Sequence, residues 1–121
     1  MNELKLSLLE LVSNWEATYK DIEAVDNEIR EIESFLCEKK VRKSFTFFCE
    51  PGVTLEWRHA AAGKLYKNRI YIVVNPKYDE NRMTKKLFHK QPAEVKIAYG
   101  KYLIPFVKAF SKDLAKGKIN D

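Results

Sequence analysis

Between Leu4 and Leu36, ten positions recur at alternating spacings of four and three: Leu4, Leu8, Leu11, Trp15, Thr18, Ile22, Val25, Ile29, Ile32 and Leu36. Only Thr18 among them is not strongly apolar, and no glycine or proline interrupts the chain before Pro51. Such a seam predicts helix, as one long element or two consecutive ones. The i,i+4 pairs Glu16–Lys20 and Asp26–Arg30 add to it. Length then becomes the constraint. A continuous helix from Leu4 to Leu36 runs about 48 Å at roughly 1.5 Å per residue. A compact domain of 121 residues has a radius of gyration of about 14 Å, and a diameter on the order of 35 Å. The helix must protrude, break or be covered by another molecule. Ser13-Asn14-Trp15-Glu16 has the form of a capping box and marks one place for a break.

What the helix would pair with follows from the residues beside the seam. With Leu8, Trp15, Ile22, Ile29 and Leu36 as a positions, the g positions 21 and 28 are Asp21 and Glu28. The e positions 26 and 33 are Asp26 and Glu33. A parallel homodimer over this stretch would set Asp21 against Asp26 and Glu28 against Glu33, like against like. A better mate lies in the same chain. The C-terminal segment carries Lys96, Lys101, Lys108, Lys112 and Lys116 around an apolar stripe, with only Glu94 and Asp113 acidic. The acidic half of the first helix is expected to pack against that segment and the inner face of a sheet, charge selecting partner and orientation.

The first dozen residues read differently. Leu4, Leu6, Leu8, Leu9, Leu11 and Val12 cover nearly all sides of their turns, followed by Trp15. That is more apolar surface than one facing partner buries. These seven residues are the expected oligomer interface, with a dimer favoured.

After Arg42 the period changes. Ser44–Cys49 is rich in β-formers, Pro51-Gly52 suits the corner of a type II turn, and Thr54–His59 alternates, with Leu55 and Trp57 on one face. Gly63-Lys64 marks a second turn, and a third strand over 68–74 ends at Asn75-Pro76. Residues 77–91 read as a basic loop, with a short extended piece at 83–88. Pro92 suits the first turn of a final helix over 92–117, which Pro105 would kink or divide. The expected fold is a single α+β domain: a long acidic helix over 1–42, a three-stranded antiparallel meander over 44–75, a basic loop and a C-terminal helix.

Net charge sharpens the functional reading. Residues 1–40 hold 5 Lys and Arg against 10 Asp and Glu, whereas residues 41–121 hold 17 against 7. Arg58, Lys64, Lys67, Arg69, Lys77, Arg82, Lys85, Lys86 and Lys90 fall within 33 residues, interleaved with Trp57, Tyr66, Tyr71 and Tyr78. These basic residues, with Tyr71, form the expected surface for an acidic macromolecular partner. Nucleic acid is the alternative, its phosphates meeting the charge and its bases the rings of residues 57–90.

Motifs for chemistry are lacking. Cys37, Cys49, His59 and His89 are separated by 12, 10 and 30 residues, without the close ligand pairs of structural zinc sites. Cys49, beside Phe47 and Phe48, reads as a small hydrophobe. No Gly-rich phosphate loop and no hydrolase or protease signature occurs. An enzyme would need a pocket gathering Glu56, His59 and His89. No cofactor, metal or small-molecule substrate is expected. No basic leader opens the chain and no apolar run approaches the roughly 20 residues of a membrane span, so the expected setting is cytoplasmic, with two reduced thiols. The expectation is a non-enzymatic interaction module of accessory or modulator type, self-associating through its leucine-rich start.

Overall fold

The computed structural model describes residues 2–59, 68–75 and 83–119, the side chains of 117–119 excepted. The first helix, α1, runs unbroken from Glu3 to Glu38. The capping-box form at Ser13 does not interrupt it: Thr18 turns its hydroxyl back to the Asn14 carbonyl at 2.9 Å, a bond made within a continuing helix. Asn2 supplies the real cap, its Oδ1 accepting from the Lys5 amide at 2.8 Å. At 36 residues, α1 is about 54 Å long.

The far end of α1 stops by geometry rather than by a breaker. Lys40 adopts φ 56°, the Val41 amide donates to Leu36 O at 3.0 Å and the Lys40 amide to Cys37 O at 3.1 Å. This is a Schellman motif with lysine at the left-handed position that glycine usually takes. Its apolar contact is supplied by Leu36 and Val41, both packed on the core.

Four strands follow in the order β1 (Phe45–Glu50), β2 (Val53–Arg58), β3 (Arg69–Val74) and β4 (Thr84–Leu87), all neighbours antiparallel. Pro51-Gly52 makes the first corner, with Gly52 at φ 81°. The expected meander gains a strand, because part of the basic loop pairs with β3 from Tyr71 to Val74. The expected turn at Gly63-Lys64 lies outside the described residues.

Phe45, Phe47, Leu55, Trp57, Ile70 and Ile72 face the core. Phe45 stacks on Phe110 with centroids 4.9 Å apart, and Phe47 meets Phe106 edge-on. Full burial of such side chains contributes about 1.5–3 kcal/mol each.

The C-terminal helix is two helices rather than one kinked at Pro105. A two-residue turn, Lys101 and Tyr102, separates α2 (Ala93–Gly100) from α3 (Leu103–Ile119). Pro105 then sits in the first turn of α3, where its missing amide would have had no intrahelical partner. The break precedes the proline because a continuous helix would drive its ring into the Lys101 carbonyl. The Phe106 amide, donating to Tyr102 O at 2.8 Å, restarts the ladder.

Candidate interaction surfaces

The seam of α1 divides near Ile22. Beyond it, Ile29 is fully buried, and Val25, Ile32 and Leu36 pack on the core. The acidic flanks are engaged internally. Asp26 Oδ1 lies 2.7 Å from the Lys96 ammonium of α2. Glu33 Oε2 accepts the Ile70 backbone amide at 2.7 Å. That amide needs a partner because β4 reaches along β3 only as far as Tyr71. Burial holds the Glu33 carboxyl above its ordinary value, opposed by the Ile70 amide and by the charges of Arg69 and His89.

Before Ile22 the same helix has no covering among the described residues. Leu4, Leu6, Leu8, Leu9, Leu11, Val12 and Trp15 are each between 48% and 68% exposed, and Tyr19 is 57% exposed. The body around the sheet begins at Val25, so the first five turns form an arm. Trp15 and Tyr19 meet along it, ring centroids 6.5 Å apart. An isolated helix of this length is marginal in water. All seven residues expected at an oligomer interface therefore stand on this arm.

The basic surface is less unified than its sequence suggested. Arg58, Arg69, Tyr71 and Lys85 share strand parity on the outer side of the sheet. Lys85 is paired with Glu56 at 3.1 Å, both half-buried. Lys86 sits opposite Ile72, on the other face, and is exposed, as is Lys90 in the 3-10 turn over Phe88–Lys90. Tyr71 is buried and Trp57 wholly so, which removes both from the expected accessible surface: β3 is an inner strand, and its side chains pack on two sides. Neither ring is open for a base to stack on. Lys64, Lys67, Lys77 and Arg82 lie outside the described residues.

Arg69 lines a polar cleft of about 350 Å³ with Asp26, Arg30, Glu33, Ser34 and His89. His59 lines a different cleft, with Cys37 and Arg42. Glu56, His59 and His89 are thus distributed over three places and make no common site. Burial pushes the Cys49 thiol up to about 11, against the usual range of a nucleophilic cysteine. Among the described residues, no three of His, Cys, Asp and Glu gather as metal ligands, and no helix is long and apolar enough to cross a membrane.

An apolar groove escaped the sequence reading. It runs between α1 and α3, lined by Ile32, Phe35, Leu36, Phe106, Val107 and Leu114. Phe35 occupies a g position beside the seam, and its exposure of 57% marks the rim. The signal was an aromatic standing where the flanks are otherwise acidic. Comparison with protein-family models, with curated proteins and with solved structures returns no match.

Proposed function

We propose that the chain is a small non-enzymatic interaction module that self-associates through the arm of α1 and offers its basic side to an acidic macromolecular partner. The observation that carries this reading is the arm itself. Seven large apolar side chains between Leu4 and Trp15, over about three turns, stand exposed with no covering from the rest of the described chain, a patch of the kind that marks protein contacts. Two acidic flanks of α1 are held internally, Asp26 by the Lys96 ammonium and Glu33 by the Ile70 amide, and the later, strongly basic part of the sequence carries most of the positive charge. Exposed Lys86 and Lys90 are the described cations best placed to meet an acidic partner. The buried Trp57 and Tyr71 favour a protein over single-stranded nucleic acid. Two free thiols fit a cytoplasmic setting.

The test is size-exclusion chromatography with light scattering on the full chain and on a Leu8→Glu/Leu11→Glu variant. Self-association of the parent and a monomeric, folded variant are expected. A parent that is monomeric at tens of micromolar, a concentration where specific interfaces of micromolar affinity are populated, contradicts the reading. Retention of the parent on polyglutamate, lost with Lys86→Glu/Lys90→Glu, tests the second surface; tighter, salt-sensitive retention on an oligonucleotide would turn it toward nucleic acid.

A further inference from the structure

Resting on the self-association just proposed, we infer that two arms pair antiparallel in one register: Leu4 against Ile22 of the second copy, Leu8 against its Thr18, and Leu11 against its Trp15. Three observations lead there.

The first is steric. Beyond Ile22 the seam of α1 is already filled by the chain's own body, with Val25 against Gly100 and Ile29 buried. A second helix running parallel along the seam would have to pass through the space that α2 holds, since packed helices need 8–10 Å between axes. A helix running the other way leads out from the body instead.

The second is length. The free seam is Leu4, Leu8, Leu11, Trp15, Thr18 and Ile22, and the helix begins at Glu3. Pairing Leu4 with Ile22 sets Glu3 of the second copy beside Glu23, just short of Val25, where the body starts. Sliding the pair one heptad inward would push Leu4 to Ile29, which is buried. Sliding it one heptad outward would leave Thr18 and Ile22 unpaired. Only the central register uses all six free seam residues.

The third is charge. In an antiparallel pair, each flank of the seam meets the same flank of the other copy. Here Val12 meets Val12 and Lys5 meets Tyr19 on one side; Asn14 meets Asn14 and Ser7 meets Asp21 on the other. At these flanking positions no like charges oppose each other. Parallel pairing would bring Asp21 to Asp26, whose carboxylate Lys96 already holds. Of the acidic flanks that argue against self-pairing, Asp26, Glu28 and Glu33 lie beyond the arm, and Asp21 meets Ser7.

Cross-linking with a short bismaleimide tests the register. The background is Cys37→Ser, because Cys37 is exposed; this chain, retaining Cys49, is the blank. Leu8→Cys and Thr18→Cys are made separately on it, checked for helix content, and cross-linked alone and after mixing with subunit exchange. A covalent dimer that appears only in the mixture is expected. Cross-linking of Leu8→Cys with itself would show parallel arms and overturn the proposal. A dimeric mass by light scattering with no product in the mixture would place the interface elsewhere and also overturn it. A monomeric mass would instead fail the self-association on which it rests.

Discussion

Gly100 faces Val25 so closely that a Cβ built on it would lie 2.5 Å from Val25 Cγ2. This glycine is required by the approach of two helices and not by a turn. It fixes where the arm of α1 ends and the body begins. Gly100→Ala is expected to destabilise the fold by about 1–3 kcal/mol through overpacking. Adding Val25→Ala should return part of that loss, so that the double substitution costs less than the two singles together. Urea denaturation of the four chains measures the coupling.

Glu33 and Ile70 give a second, sharper contrast. Glu33→Ala strands a buried backbone amide and should cost about 1–3 kcal/mol. Glu33→Gln keeps an oxygen acceptor and removes a desolvated charge, and should cost much less. The pH dependence follows from the raised folded-state pKa. The folded chain holds the Glu33 proton more tightly than the unfolded chain does. That contribution to stability is fully present below about 4.5, the ordinary value, and is lost as pH rises through the folded value. Relative to Glu33→Gln, the parent should therefore lose stability across that window, as read from denaturation midpoints between pH 4 and 7.

Lys40 sits at φ 56° at the end of α1. Glycine adopts that conformation without the Cβ penalty. Lys40→Gly is expected to stabilise the protein by roughly 0.5–1 kcal/mol, net of the greater entropy of the unfolded chain. A rise in melting temperature at constant cooperativity is the readout.

Pro105 belongs to the first turn of α3 and not to a helix interior. Pro105→Ala should change stability by less than about 1 kcal/mol, far below the ~3 kcal/mol gain expected on removing an interior proline. Helix content by circular dichroism should be unchanged.

The elements most legible in the sequence were those with long periodicity. The seam through Val25, Ile29 and Leu36 located both the helix and its buried side, and Pro51-Gly52 located the first corner. What stayed hidden depended on neighbours distant in the chain. Glu33 looked like a charged flank because nothing local shows that β4 stops at Leu87 and leaves the Ile70 amide open. Lys85 and Lys86 fall in the short extended piece expected at 83–88, but its pairing with β3 stayed hidden, because a four-residue edge strand with two lysines carries almost no apolar alternation. Pro105 read as a kink because the restart of the ladder at Tyr102 could not be seen. Tyr71 was assigned the correct side of its strand, but alternation alone does not show what covers that side. Of the exposed apolar surfaces, the arm was legible because its leucines exceed what one face can bury, whereas the groove lies between α1 and α3, elements distant in the chain.

Amide hydrogen exchange on the unmodified chain shows whether a second copy covers the arm. If two arms pair, peptides spanning residues 4–22 are protected at high protein concentration and lose that protection on dilution, while those spanning 25–36 hold theirs throughout. Exchange of the arm at the rate of a free, fraying helix at every concentration would contradict the pairing.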